Sequence, residues 1–129
     1  MVSVLEGKLK GGLERGRLFL EMKEYKSRIE KAAGFKPFEG TLILEVDEKK
    51  LASFLKQLKE KKIAGFELEN CVYGALVLYR IECMGGKAAI IKPAKTVHPL
   101  KIIEVIAPFK LREKFGLKDG DKVKIGVVE

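Results

Sequence analysis

Residues 72–92 read VYGALVLYRIECMGGKAAIIK. The run from Val72 to Cys83 is rich in β-branched and aromatic residues, which suit a pleated, well-covered surface and predict a long strand. Gly85-Gly86 then supplies a two-residue turn, and Ala88 to Lys92 returns as the second arm of a hairpin. Outward from this hairpin the β pattern repeats. Thr41 to Val46 (TLILEV) predicts a strand, as do Lys101 to Ile106 and, beyond an Asp119-Gly120 turn, Lys122 to Val128. At the start of the chain Val2, Val4 and Leu9 form a short alternating apolar run.

Few helices interrupt these strands. Met22, Tyr25, Ile29 and Ala32 fall near one helical face between Met22 and Ala33, and Gly34 stands where a left-handed C-terminal cap belongs. Leu51, Phe54, Leu55 and Leu58 follow helical spacing behind Asp47, a suitable N-cap. Pro108 at a first turn, Leu111 and Phe115 four apart, and Gly116 after them predict a third, short helix. The fold class is therefore mainly β with α insertions: a closed or nearly closed β-barrel of about six strands with two to three helices. A doubly wound parallel sheet, in which helices alternate regularly with strands, is excluded.

The chain has 129 residues, which suits one domain over residues 1–129 with a core that needs no staples. Its 47% hydrophobic and 34% charged residues mark a globular protein rather than a disordered one. No apolar run approaches a membrane span, and MVSVLEGK lacks the apolar core of a signal peptide, so a cytoplasmic protein is expected. Cys71 and Cys83 lie outside any metal-ligand spacing and read as free thiols. The net charge of +8 raises the question of nucleic acid. Lysines and glutamates are interleaved, however, as in KEKKIAGFELE, the look of a heat-adapted surface. With 8% aromatic residues and no tryptophan there is no stacking array for single strands. The charge suits an anionic ligand better than DNA.

Catalytic signatures of the common kind are missing. One histidine, His98, cannot build an imidazole metal site, and neither GxxxxGK[ST] nor GxGxxG occurs. What remains are polar residues at breaks in regular structure. They are the glycine- and arginine-rich GGLERGR at 11–17, Gly40-Thr41 at a strand entrance, Lys95-Thr96 before a proline turn, Glu104 inside the apolar IIEVIA, and Lys110 with Arg112 on the first turn of the third helix. Each alone has a structural explanation. Together they suit an anion, because glycine loops expose backbone N–H groups and arginine forks match phosphate.

The order GGLERGR-LF, GFKPFEGTL and KTVHPLKIIEVIAPFKLREKFGLKDGDKV resembles the archaeal CTP-dependent riboflavin kinases, from about Gly7 to Val127. The resemblance implies a cradle-loop β-barrel. It implies transfer of the γ-phosphate of CTP to the ribityl 5′-hydroxyl of riboflavin, giving FMN and CDP, with magnesium (Mg2+) present. It places the nucleotide on Gly12, Leu13, Glu14, Arg15, Gly16 and Arg17 and on Phe109, Lys110, Leu111 and Arg112. It places the flavin on Thr96 and Glu104, with Glu104 the candidate catalytic residue, and the metal on Thr41. Two positions depart from the family pattern. Its loop usually reads GLGEG, and here Glu14 replaces the middle glycine. Its GTLN is here Gly40-Thr41-Leu42-Ile43, and Ile43 has no side-chain oxygen to offer magnesium. The expected partners are CTP/CDP and riboflavin/FMN, on a monomer, with neither membrane nor nucleic acid. The alternatives are a relative that binds nucleotide or flavin without turnover, and a basic barrel that binds nucleic acid.

Overall fold

The run Leu76–Tyr79 is apolar on both faces because both faces are covered, whereas Arg80 and Glu82 further along the same strand are exposed. A computed structural model describes residues 3–11, 20–38, 40–94 and 101–128. In chain order its elements are β1 (Val4–Leu9), α1 (Lys23–Ala33), β2 (Leu42–Glu45), α2 (Glu48–Leu55), β3 (Glu60–Ile63) and β4 (Phe66–Leu68). They continue with β5 (Cys71–Tyr73), β6 (Leu76–Cys83), β7 (Gly86–Pro93), β8 (Ile102–Ile106), α3 (Leu111–Phe115) and β9 (Lys122–Val127).

Six strands close into an antiparallel barrel in the order β6-β7-β8-β2-β1-β9, with β9 returning to β6 through Ile81↔Val127, Glu82↔Gly126 and Cys83↔Ile125. The first half of that same edge of β6 is taken by the extra strand β3, from Glu60↔Tyr79 to Ile63↔Leu76. Period-two alternation then sorts the side chains. Val77, Tyr79, Ile81, Ala88, Ile90, Ile103 and Val105 point into the barrel and pack with Leu5, Leu44, Phe54 and Ile125. Their neighbours Leu76, Leu78, Ala89, Ile91 and Ile106 point outward and are covered by Tyr25, Ile29 and Ala33 of α1. A strand buried on both faces reads as a continuous apolar run, and Leu76–Tyr79 of β6 and Ala88–Ile91 of β7 do.

The expected caps of the first two helices hold, although α2 ends at Leu55, one turn before Leu58. Gly34 is left-handed at φ 82° and donates to Glu30 O, and Asp47 accepts from Lys50 N at 2.9 Å. Three details differ from the sequence reading. The β6–β7 turn is Met84-Gly85, at φ 51° and 80°, and Gly86 is already paired with Cys83; both loop positions need positive φ, so the turn centres on the residues before the second glycine. The strand expected over 72–83 breaks at Gly74-Ala75, and β5 instead pairs with β4 as a separate hairpin. Strand β3 was not legible, since the short, charged EKKI carries no alternating signal.

Candidate functional site

Pairing of β2 with β8, through Leu42↔Val105 and Ile43↔Glu104, brings the entrance of one strand beside the exit of the other. The chain before β2 is tied to the chain after β8 by a hydrogen bond from Phe38 N to Ala107 O at 2.8 Å. Between them lies a cavity of about 620 Å³, lined by residues of 36–42 on one side and of 105–112 on the other. Lys36, Lys110 and Arg112 bring positive charge to it, and none of the described lining residues is acidic. Volume and charge fit a small anionic ligand.

Thr41 is buried at 7% exposure, and its Oγ1 has no hydrogen-bond partner among the described residues. A buried hydroxyl without a partner is costly, so such a group marks a place where a ligand completes the bonding. Thr41 lines the cavity.

The 109–112 segment is held by its own contacts. Lys114 Nζ lies 3.7 Å from the centroid of the Phe109 ring, and Leu111 is buried against the barrel core while lining the cavity. Lys110 pairs with Glu113 at 3.4 Å, an exposed contact of little energetic weight. Arg112 Nη2 meets Asp119 Oδ1 at 2.5 Å and reaches Lys10 O at 3.4 Å. The helix itself is only Leu111–Phe115, starting after Pro108 rather than at it, and its N-cap Lys110 makes no side-chain capping bond.

Glu104 stands elsewhere. It is half-buried on the outward face of β8, opposite Ile43 of β2 and Ile91 of β7. Ile43 is buried at 7%, its side chain on that same outward face, while its carbonyl accepts from Lys10 N at 3.0 Å. Gly12, Leu13, Glu14, Arg15, Gly16, Arg17 and Thr96 lie outside the described residues, as does His98. The structure thus brings together Thr41, Phe109, Lys110, Leu111 and Arg112, with Glu104 on the neighbouring outer surface. Sequence reasoning missed Lys36 and Phe38 as cavity residues; the one available signal was their place in GFKPFEGTL, next to the strand entrance.

The donor set for a metal is spare. Among the described residues no three His, Cys, Asp or Glu side chains gather. The Thr41 hydroxyl, without a partner among the described residues, is a hard oxygen of the kind magnesium takes, and that ion commonly keeps waters and arrives on substrate phosphates. Thr41 fits as a single protein ligand, and the side chain of Ile43 contributes none.

The model of the CTP-dependent riboflavin kinases, described as "Domain of unknown function DUF120", matches residues 9–127. This chain belongs to the CTP-dependent riboflavin kinase family. A riboflavin kinase of Saccharolobus solfataricus is 40% identical over 127 residues, covering 95% of this chain and 73% of the relative. That of Pyrobaculum islandicum is 38% identical over 125 residues, covering 95% of this chain and 59% of the relative. That of Thermococcus kodakarensis is 35% identical over 127 residues, with 98% and 59% covered. The chain spans about three fifths of the length of most of these riboflavin kinases. No described helix is long and apolar enough to cross a membrane.

Proposed function

We propose that this chain transfers the γ-phosphate of CTP to the 5′-hydroxyl of riboflavin, giving FMN and CDP. The observation that carries the reading is the cavity between the β2 entrance and the β8 exit, lined both by cations and by a buried hydroxyl without a partner among the described residues, in a member of this family.

In the reaction the 5′-oxygen bonds to the γ-phosphorus as the bond from that phosphorus to the β–γ bridging oxygen breaks, CDP leaves with the bridging oxygen, and the hydroxyl proton passes to solvent water. Such a transfer proceeds largely by positioning and charge neutralisation, so a site without a histidine base is chemically adequate. Lys110 and Arg112 hold and neutralise the phosphates, aided by Gly12 to Arg17 as the family pattern implies. Magnesium, when bound through Thr41 Oγ1, supplies further neutralisation of the charge developing on the phosphate oxygens. Glu104, with Thr96, holds the flavin or orients its hydroxyl from the outer face. The protein acts as a monomer.

Ile43 favours a second reading, in which the pocket binds its ligands but has lost turnover. One experiment separates the two. Incubation with riboflavin and each of the four nucleoside triphosphates yields FMN, most with CTP, if the first reading holds. Equal or better yield with ATP overturns the donor, and nucleotide binding without FMN supports the second reading.

A further inference from the structure

We propose that Asp119 is a positioning residue for the nucleotide site: it aims the Arg112 guanidinium. The inference rests on the reading of the cavity as a nucleotide site and deepens it. The turn that carries Asp119 does not need its carboxylate. Lys118 N donates to Asp121 Oδ2 at 2.8 Å, and Asp121 N returns to Lys118 O at 3.0 Å, so Asp121 holds the turn together. The turn is also tied to β1 by backbone alone, through Gly120 N to Leu9 O and Leu9 N to Asp121 O, both at 2.7 Å.

The Asp119 carboxylate reaches away from this frame toward Arg112, past the backbone of Gly11. One oxygen takes Arg112 Nη2 at 2.5 Å. The other lies where a Cβ on Gly11 would be only 2.7 Å away, so the carboxylate sits over a position that a larger residue would crowd. The same Nη2 reaches Lys10 O, so one corner of the fork is also held by the backbone after β1. A guanidinium carries five donors in a rigid plane; fixing one corner orients the remaining edge toward the cavity that Arg112 lines. A phosphate then meets a donor already in place, and less rotamer freedom is lost on binding.

The test uses the whole chain and measures CTP and riboflavin affinity separately by titration calorimetry, with steady-state FMN formation beside it. Asp119→Asn keeps the shape and removes the charge. It is expected to weaken CTP binding about five- to tenfold, the scale of one charge-assisted contact loosened, with the loss falling on the KM for CTP more than on kcat. Riboflavin affinity should hold, and Asp119→Glu should recover most of the loss. Gly11→Ala should weaken CTP binding similarly by displacing the carboxylate, and Gly11→Ala combined with Asp119→Asn should be no worse than Asp119→Asn alone. Unchanged or tighter CTP binding in Asp119→Asn, whatever its melting temperature, overturns the inference while leaving the nucleotide site standing. Absence of CTP binding in the unmodified chain overturns both. The calorimetric arm needs no turnover, so loss of catalysis alone does not obscure the result.

Discussion

The Thr41 hydroxyl sets stability against function at a single atom. Its burial without a partner among the described residues costs free energy in the empty protein, and Thr41→Val removes that cost with almost no change of shape. Thr41→Val is therefore expected to raise stability by up to about 1 kcal/mol in denaturant unfolding while lowering FMN formation at limiting magnesium. A variant that loses stability instead shows that the hydroxyl is already satisfied. Ile43 poses the complementary case two residues on. It is buried on the outward face opposite Glu104, and an amide there is desolvated. Ile43→Asn should cost about 1–3 kcal/mol of stability, yet restore a side-chain oxygen and lower the magnesium needed for half-maximal FMN formation. An unchanged magnesium requirement means that position 43 is not used to hold the ion.

At the scale of elements, the closing of helix α1 shows how one backbone conformation docks a helix to the barrel. Gly34 ends α1 at φ 82°, and Arg80 Nε of β6 donates to Ala32 O at 2.8 Å, so the helix end is held from the sheet. A Cβ at Gly34 would approach Arg80 Nη2 to 3.2 Å and would force an L side chain into the left-handed region. Gly34→Ala is expected to destabilise the protein by about 1–2 kcal/mol, read as a lower denaturant midpoint at unchanged slope. The cap was visible in the sequence, because only Gly34 interrupts the helical pattern. The Arg80 contact was not, because it joins residues 48 positions apart. The β4–β5 hairpin escaped for a related reason: Val72 looks like part of a long strand until Gly74-Ala75 is seen to break it.

Across the whole molecule, burial shows itself in the alkaline limb of stability. Tyr79 lies in the barrel core and donates to Glu60 Oε2 at 3.0 Å. Burial, then the hydrogen bond to that carboxylate, push its hydroxyl up to about 12 from an ordinary 10. Burial alone pushes the Cys83 thiol up to about 11 from 9. Both groups are neutral when protonated, and the folded state holds the proton more tightly than the unfolded chain. Their contribution is thus complete below the unfolded values and is lost as pH climbs through the folded ones. Stability should fall between about pH 9 and 12, and Tyr79→Phe should flatten the part above pH 10. An identical slope in that variant means that Tyr79 does not ionise on unfolding. Charge acts at this scale too: interleaved lysine and glutamate leave a net +8 without an array of stacking aromatics.

What the sequence determined by itself was whatever depends on neighbours along the chain. Period-two runs, glycine and aspartate at helix ends, and the order of strands around few helices were enough for a mainly β barrel, and the motif order was enough for the family. The lining of the candidate cavity was only partly legible. Phe109, Lys110, Leu111 and Arg112 were readable because they are contiguous, as was Thr41 at its strand entrance. The tertiary structure alone decided that these two segments face one cavity, since that follows from the β2–β8 register and a hydrogen bond between Phe38 and Ala107. It alone showed that Glu104 does not line that cavity and that it shares the outward face of the sheet with Ile43, a phase that pairing of β8 with β2 and β7 fixes. Asp119 read as a turn residue and became a partner of Arg112 only in three dimensions. Ion pairs and cavities are made by residues distant in the chain, and a linear pattern carries no record of that distance.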